Sequence, residues 1–421
     1  MRSPPFDARR WLTMASLILA GEAIYTLPYY LRRDYAPVMV RVSDLTYTEL
    51  GTLSSMFGVF ALLCYFPGGY LADRFSTRIL LATSLAATGL GGLVLVDLPS
   101  FPVLLAVFGF WGVTSILTFW GALIKATRNW GRASEQGKAF GILDGGRGLV
   151  GAALASVALV FFQRAGEGEA GLRQVVWFYS ITALCAAAAV GFTVPPDPHA
   201  AEDRGLDGAG LAERLKRTLR HRAVWLHGVV ILAGYTAYWG TFDLAPYAAD
   251  GYGLGDAQSA RFSVFPLWLR FFAAIGAGFL ADRVGVSRAV GWAFTTGIVV
   301  FVSLASVPAS AGSTALLFAQ AVLMCMVGFA LRGIYYALME EYRLPTSLTG
   351  TAVGVVSVIG YTPDIFAPLL SGALIDGFPG DAGHRIYFGV LAAVCGVGLV
   401  ANRLLGQDVG TTPPFSETHS R

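Results

Sequence analysis

The sequence predicts an all-α polytopic membrane protein with twelve transmembrane helices in two pseudo-symmetric six-helix halves. Three observations lead to this fold class. Of the 421 residues, 55% are hydrophobic and 14% are charged, and the mean hydropathy is +0.59, whereas soluble domains carry about 25% charged residues. Long apolar runs recur along the whole chain. A short charged segment occurs twice, each time between two apolar runs.

The charged segment fixes two points of the topology. Residues 69–78 read GYLADRFSTR, and residues 278–288 read GFLADRVGVSR. An Asp-Arg pair followed by another Arg would cost several kcal/mol in hydrocarbon, so each copy is expected at the membrane surface. Each copy therefore predicts a tight hairpin between two spanning helices.

Both segments resemble the signature loop of the major facilitator superfamily, which lies between spans 2 and 3 and, more weakly, between spans 8 and 9. Ser76 stands where a Gly is usual, and the last Arg of the second copy has moved by one position to Arg288. The Asp-Arg core is intact in both copies. The resemblance implies the superfamily fold and secondary transport of a solute by alternating access.

Twelve apolar runs are long enough to cross a hydrocarbon core about 30 Å thick. They lie at approximately 11–33, 46–72, 78–97, 101–126, 137–163, 172–195, 223–247, 257–281, 287–307, 312–340, 348–376 and 382–405. The predicted organisation is an N-terminal half at 1–195, a cytoplasmic linker at 196–222, a C-terminal half at 223–405 and a cytoplasmic tail at 406–421. The basic stretch from Leu211 to Arg222 is expected to form a surface helix.

The two halves repeat beyond the charged segments. Residues 18–21 with Tyr25 recur as residues 231–234 with Tyr238, a shift of 213 residues (234 − 21). The same shift relates a second set of residues, namely Ser134, Gly137, Ala139 and Gly141, to Ser347, Gly350, Ala352 and Gly354. Spans 1 and 5 therefore match spans 7 and 11, as expected for two parallel repeats about an axis normal to the membrane.

Lys and Arg near the span ends predict the orientation. With the N-terminus inside, the cytoplasmic segments hold Arg2, Arg9, Arg10, Arg74, Arg78, Arg128, Arg132, Lys138, Arg214, Lys216, Arg217, Arg220, Arg222, Arg283, Arg288 and Arg343. The opposite side holds fewer, namely Arg32, Arg33, Arg41, Arg164, Arg173, Arg261 and Arg385. We therefore expect a multi-pass protein of the cytoplasmic membrane with both termini and the linker in the cytoplasm.

The resemblance also implies a conformational latch. In the family, the Asp of the signature loop contacts the first turn of a helix in the other half when the cytoplasmic side is closed. The resemblance assigns this role to Asp73, which would face span 11, and to Asp282, which would face span 5. Arg74, Arg78 and Arg283 lie in the same loops. Ser134 and Ser347 are plausible caps of the facing helices, whose N-termini are partly positive. Alternatively, the loop charges only fix the topology.

Charges deep inside spans are the candidates for function, because charged side chains facing lipid are very costly. Four charged residues lie near mid-membrane depth: Glu22 in span 1, Arg147 in span 5, Arg270 in span 8 and Arg332 in span 10. Together they carry an excess of positive charge. Asp144 lies three residues before Arg147, so the two could pair within one helix. Arg332 could likewise pair with Asp364. Span 8 offers Arg270 no acidic partner before Asp282, which makes Arg270 the preferred anchor for an anion.

Glu22 begins a polar stripe on span 1 that continues through Tyr25 or Thr26, Tyr29 and Arg33 at helical spacing. Glu22 is interpreted either as a proton carrier, a role also open to Asp144, or as a counter-ion of one arginine. Aromatic residues of spans 7 and 10 complete the expected cavity wall, which would bind a polar solute. They are Tyr235, Tyr238, Trp239, Phe242, Tyr335 and Tyr336. Spans 1, 4, 7 and 10 line the cavity in the superfamily.

Other classes are disfavoured by what the sequence lacks. No basic tract suggests a nucleic-acid partner. The cysteines form no Cys-x-x-Cys pair, so neither a disulfide framework nor a metal site is indicated. No phosphate-binding Gly-rich loop with Lys followed by Ser or Thr indicates ATP hydrolysis. We expect no cofactor and no enzymatic activity, and a functional monomer in the lipid bilayer.

Three functional hypotheses follow. The first is a proton-coupled or exchange transporter of a small organic anion such as a carboxylate, favoured by the arginines. The second is a drug or organic-cation/proton antiporter in which Glu22 binds the cation. The third is a nutrient receptor that signals without moving solute, disfavoured because the linker and the tail are short. The branch of the superfamily is left open.

Overall fold

The computed structural model describes residues 8–131, 135–196, 208–310, 312–341 and 346–411, and within these ranges the regular secondary structure is helical. We number the helices that correspond to the twelve predicted spans α1 to α12. The first six are α1 (Ala8–Tyr25, Thr26–Tyr30 and Leu31–Val42), α2 (Tyr47–Arg74), α3 (Thr77–Val94), α4 (Phe101–Val113, Thr114–Trp120 and Gly121–Trp130), α5 (Gln136–Arg164) and α6 (Gly168–Thr193).

A linker helix, Gly208–Leu219, precedes the second set. The second six are α7 (Arg222–Trp239, Gly240–Asp243 and Leu244–Asp250), α8 (Asp256–Val264, Phe265–Trp268 and Leu269–Val284), α9 (Val286–Ser306), α10 (Thr314–Ile334, Tyr335–Ala337 and Leu338–Glu341), α11 (Thr346–Gly360 and Pro363–Gly377) and α12 (Ala382–Thr411). In the described chain, eleven helices are long and apolar enough to cross a membrane, and α7, which is rich in Tyr and Trp, is the one that falls short. The predicted all-α fold is confirmed.

Helix α1 is longer than predicted. It continues past residue 33 to Val42, and its second part buries Arg32, Arg33 and Asp34. Arg33 and Asp34 neutralise each other through two hydrogen bonds of 2.7 and 2.8 Å. The prediction that Arg32 and Arg33 are surface charges at the end of span 1 is therefore wrong.

The helix boundaries follow the local sequence. Thr46 caps α2: its hydroxyl accepts a hydrogen bond from the Glu49 backbone N–H at 3.1 Å, and the Glu49 carboxylate accepts one from the Thr46 N–H at 2.9 Å. The two charged segments form the predicted hairpins, since α2 ends at Arg74 before α3 begins at Thr77, and α8 ends at Val284 before α9 begins at Val286.

Non-α turns interrupt the four helices expected to line the cavity. Helices α1 and α4 each contain a π-helical turn, at Thr26–Tyr30 and Thr114–Trp120. Helices α7 and α10 contain 3₁₀ turns at Gly240–Asp243 and Tyr335–Ala337. Such turns inside a helix change which residues share a face, and they are frequent at functional sites.

The two sets of six helices meet tightly on one face of the molecule, which we call the closed face. There, Arg41 of α1 pairs with Asp256 of α8 at 2.5 Å. The Asp376 carboxylate of α11 accepts hydrogen bonds from the backbone N–H groups of Tyr47 and Thr48 at the start of α2, at 3.1 and 2.6 Å. The other face carries the linker helix and the two charged hairpins, and we call it the linker face.

Candidate functional site

A cavity of about 1360 Å³ lies between the two sets of helices and extends to the linker helix, where Leu215 and Leu219 contribute to its wall. The linker helix therefore lies at the mouth of the cavity. Within the described ranges, the charged groups that line the cavity are Glu22, Arg147, Arg270, Arg332 and Asp364.

Glu22 is at the centre of an ionic cluster that joins the two sets of helices. Its side chain is 2% exposed. Arg147 Nε lies 3.2 Å from Glu22 Oε2, and Arg270 Nη1 lies 3.1 Å from Glu22 Oε1. Arg147 Nε also donates to the Gly21 carbonyl at 3.0 Å. The sequence-based prediction that Arg270 has no acidic partner is therefore wrong, because the partner comes from α1 rather than from α8.

The π turn of α1 adds Tyr30 to this cluster. The Tyr30 hydroxyl donates to Glu22 Oε1, although the two residues are eight positions apart. The π turn inserts one extra residue between them, so Tyr30 lies over Glu22 as a residue seven positions away would in a regular helix. Regular spacing instead predicted that Arg33 would share the face of Glu22, and the same shift turns Arg33 away.

Asp144 lies at the edge of this cluster. Its Oδ1 atom is 3.9 Å from Arg147 Nη1 and 3.7 Å from Arg270 Nη2. The Asp144 side chain is 67% exposed. The predicted Asp144–Arg147 contact is thus present but long, and the closer partner of Arg147 is Glu22.

Arg332 has a different environment. Its guanidinium carbon lies 4.3 Å from the ring centroid of Tyr238 and 5.3 Å from that of Tyr235. No carboxylate of the described residues lies within 4.0 Å of it. The predicted ion pair between Arg332 and Asp364 is therefore absent. Arg332 is a cation held by aromatic rings and open to the cavity.

Asp364 binds neutral groups instead. Its Oδ1 atom accepts hydrogen bonds from the Tyr235 hydroxyl at 2.7 Å and from Trp239 Nε1 at 3.0 Å. Asp364 follows the break between the two helical parts of α11. Sequence reasoning considered it only as a partner of Arg332, although an acidic residue beside a helix break deep in an apolar span was a usable signal.

The predicted aromatic residues are partly in the cavity wall. Tyr25, Tyr29, Tyr238 and Tyr336 line the cavity. Trp239 and Tyr335 are buried behind the wall, so they were wrongly placed in it. Trp239 reaches the site through its hydrogen bond to Asp364 and its ring contact with Tyr29. Sequence reasoning missed several aromatic residues that line the cavity, namely Tyr30, Phe57, Tyr65 and Tyr361.

The predicted latch residues lie on the linker face. Asp73, Arg74, Asp282 and Arg283 are exposed, and no hydrogen bond or ion pair joins Asp73 or Asp282 to another described residue. Arg78 is half-buried in the first turn of α3. Ser134 lies outside the described residues, as does the side chain of Ser347, so the two predicted caps are not described.

These features define a class. A membrane protein whose two sets of helices enclose a charged, aromatic cavity closed at one face and reached from the other is built as a solute transporter. A family model described as "Major Facilitator Superfamily" matches residues 11–368. The chain belongs to this superfamily, and it is a transporter rather than an enzyme.

Two Escherichia coli proteins are similar along almost their whole length. Inner membrane protein YihN is 27% identical over 402 residues, covering 94% of this chain and 95% of that protein. Inner membrane protein YqcE is 29% identical over 411 residues, covering 96% of each. Together with the eleven apolar helices, these relatives indicate a multi-pass protein of the cytoplasmic membrane.

Solved structures show the same fold. A bacterial homolog of the human lysosomal transporter Spinster, in an inward-facing and unoccupied conformation, has a TM-score of 0.75 at 16% identity and covers 97% of this chain and 99% of its own. A variant of the nucleoside transporter NupG has a TM-score of 0.74 at 13% identity, with 94% and 99% covered. At these identities the likeness concerns the fold.

Proposed function

We propose that the protein is a secondary active transporter of a small organic anion of the carboxylate type, driven by protons or by exchange. The observation that carries this proposal is Arg332, a cavity guanidinium without a carboxylate within 4.0 Å among the described residues. A guanidinium binds a carboxylate through two parallel hydrogen bonds. The anion is therefore the ligand that Arg332 lacks.

The charge of the cavity supports the same conclusion. Among the described residues, three arginines and two carboxylates line it, so their summed formal charge is positive by one. Asp144 lies outside the lining set and is mostly exposed to solvent. Because Glu22 already holds Arg147 and Arg270, we place the anion first on Arg332, with Arg270 as its second contact when it leaves Glu22. Tyr25, Tyr29, Tyr238 and Tyr336 would surround the remainder of the solute.

The proposed transport cycle is alternating access by two halves, 1–195 and 223–405, joined by the linker at 196–222 and followed by a tail at 406–421. We propose that the linker face is cytoplasmic, so that this conformation is open to the cytoplasm. Asp73, Arg74, Arg78, Asp282 and Arg283 would then act when the linker face closes. One polypeptide encloses the whole cavity, and we propose that it functions as a monomer.

Aromatic walls are the one observation that favours a second candidate, an antiporter for organic cations. Rings such as Tyr65 and Tyr361 could stack on a lipophilic cation. However, Glu22, the carboxylate expected to bind that cation, has both oxygens within 3.2 Å of guanidinium groups. A cation would have to displace two arginines, so the anion is favoured.

A binding screen on Arg332 variants tests the proposal. Purified wild type would be titrated with lactate, succinate, gluconate, a sugar phosphate and tetraphenylphosphonium, using thermal shift and calorimetry. Arg332→Lys keeps the charge but loses the planar fork, so the affinity for the bound anion should fall by about 1.5–3 kcal/mol, roughly ten- to a hundredfold. Arg332→Ala should abolish binding.

The matched control is Arg261→Ala, which removes an exposed arginine from α8 and should leave the affinity unchanged. An anion that binds wild type and Arg332→Ala equally well would refute the role of Arg332. Tetraphenylphosphonium binding that tightens in Arg332→Ala, with no anion bound by wild type, would establish the cation antiporter instead.

A further inference from the structure

Asp364 is a buried carboxyl group whose position the anion site does not explain. Its side chain lines the cavity, and the residue is 8% exposed. Its hydrogen-bond partners among the described residues are neutral: the Tyr235 hydroxyl and Trp239 Nε1 donate to Oδ1, and the Tyr29 hydroxyl is a further partner of the carboxylate. None of these partners carries a charge, and no guanidinium or ammonium group of the described residues lies within 4.0 Å of the carboxylate. Because the carboxylate lines the cavity and its partners are neutral, it can take up a proton from cavity water.

The groups that face Asp364 come from every helix around it. They are Tyr25 and Tyr29 of α1, Tyr65 of α2, Tyr235 and Trp239 of α7, Arg332 and Tyr335 of α10, and Tyr361 of α11 itself. Within this set Arg332 is the charged group. Tyr235 connects it to Asp364, because the Tyr235 ring lies 5.3 Å from the guanidinium carbon while its hydroxyl donates to the carboxylate.

The other carboxylates near the cavity are less suited to binding a proton during transport. Glu22 has a guanidinium at 3.2 Å and another at 3.1 Å, so both of its carboxylate oxygens are already in ion pairs in this conformation. Asp144 is 67% exposed and outside the lining set. Among the three, only Asp364 is both buried in the cavity wall and free of an ion pair.

The internal repeat gives an independent reason to regard Asp364 as part of a site. The 213-residue shift relates Glu22 to Tyr235 and Gly151 to Asp364. In the first set of helices, Glu22 of α1 lies against Gly151 of α5. In the second, Tyr235 of α7 binds Asp364 of α11. Each half thus carries one buried carboxylate where these two helices meet. In the first half the carboxylate is on α1, and in the second half it is on α11, which is the equivalent of α5.

We propose that Asp364 is the proton-binding site of the transport cycle, and that a proton on Asp364 and an anion on Arg332 occupy the cavity together. A proton from cavity water adds to the Asp364 carboxylate and removes the negative charge that faces Arg332. The anion then becomes the counter-ion of Arg332. Proton and anion bring no net charge, so they would move in the same direction as symported partners; this last step rests on the anion transport proposed above.

Infrared spectroscopy tests the proton site without a substrate. The full-length protein in liposomes would be titrated from mildly acidic to mildly alkaline pH while the C=O stretch of a protonated carboxylic acid is recorded. Wild type should show a reversible band that is lost in Asp364→Asn and retained in Glu22→Gln and Asp144→Asn. Asp364→Glu should keep a titrating band at a displaced frequency, which assigns the band even if Asp364→Asn folds poorly.

A second measurement, gluconate affinity as a function of pH, separates this inference from the proposed function. Wild type should bind gluconate more weakly as the pH rises, at least tenfold across the titration, whereas Asp364→Asn should bind it equally at each pH. A band assigned to Asp364 with no anion bound would uphold the proton site and overturn the anion coupling. Anion binding that depends on Arg332 but not on pH, or a band that persists in Asp364→Asn, would overturn the role of Asp364 and leave the transporter proposal intact.

Discussion

Two glycines determine how closely the ionic cluster around Glu22 can pack. A Cβ atom at position 151 would lie 2.6 Å from Glu22 Oε1 and would also collide with the Tyr30 hydroxyl. A Cβ atom at position 21 would lie 2.9 Å from Arg147 Cδ. Helix α5 can therefore approach α1 at this level only because neither residue has a side chain.

Substitution of Gly151 is expected to separate the cluster. Gly151→Ala should displace the Glu22 carboxylate or part α5 from α1, at a cost of about 1–3 kcal/mol for overpacking. The control, Gly148→Ala, lies on the same helix one turn earlier, and its Cβ would meet nothing closer than 3.6 Å. It should be neutral or stabilising, since Ala is favoured over Gly in a helix by roughly 0.5–1 kcal/mol. The measurement is the melting temperature of the purified protein in detergent.

Equal melting temperatures for the two alanine variants would contradict this account of Gly151. So would a Gly151→Ala protein that melts normally and retains wild-type affinity for the bound solute. Either result would mean that the cluster tolerates extra volume, and that the close packing of α1 and α5 at this level is incidental.

At the level of elements, the closed face is held by carboxylates bound to helix N-termini across the two sets of helices. Asp376 of α11 accepts hydrogen bonds from the first backbone N–H groups of α2. Glu167, between α5 and α6, accepts a hydrogen bond of 3.2 Å from the Ala257 N–H at the start of α8. Helix N-termini are partly positive, so each contact should stabilise the closed face by about 0.3–2 kcal/mol. The two contacts involve equivalent helices of the two halves.

Loss of one contact should shift the conformational equilibrium. Glu167→Gln is expected to favour opening of the closed face by roughly two- to thirtyfold. The readout is maleimide labelling of Val353→Cys, at the cavity mouth, in a background without native cysteines; labelling should slow as the linker face closes. The control is Glu169→Gln, an exposed carboxylate whose partner among the described residues is Arg173 of its own helix.

The reverse shift is expected on the linker face. If Asp73 acts as the proposed latch, Asp73→Asn should speed the labelling of Val353→Cys, opposite to the effect of Glu167→Gln. Labelling that is unchanged in both variants would show that these carboxylates do not bias the equilibrium, and Asp73 would be left as a topology signal.

For the whole molecule, the distribution of positive charge predicts the orientation. In the structure, the difference in positive charge between the two faces is larger than the sequence alone indicated. Arg32 and Arg33 are buried, so they leave the set of charges on the closed face. Arg41 and Arg173 of that set are paired with Asp256 and Glu169. The linker face therefore dominates the charge asymmetry and should face the cytoplasm.

Labelling of intact cells checks this orientation. A cysteine introduced at the exposed Phe75, on the linker face, should react with a membrane-impermeant maleimide only after the cells are permeabilised. A cysteine introduced at the exposed Glu169, on the closed face, should react in intact cells. The opposite pattern would invert the topology and, with it, the proposed direction of opening.

The sequence by itself determined the features that depend on composition and local pattern. Hydrophobic runs must cross the bilayer and an Asp-Arg pair must leave it, so the helices and the hairpins at residues 75–76 and 285 followed from the chain alone. The same patterns placed Glu22, Arg147, Arg270 and Arg332 at a common depth, because depth depends only on position along a helix.

Only the tertiary structure decided which of these charges are paired. Arg270 meets Glu22 across the two sets of helices, and no spacing within α8 contains that contact. Tyr30 rather than Arg33 lies over Glu22, because one π turn shifts the register by a residue. Arg332 has no carboxylate of the described residues within 4.0 Å, and the nearby Asp364 is instead hydrogen-bonded by Tyr235 and Trp239. The polar partner of a buried charge is set by packing between distant segments, and packing is a property of the fold rather than of any one segment.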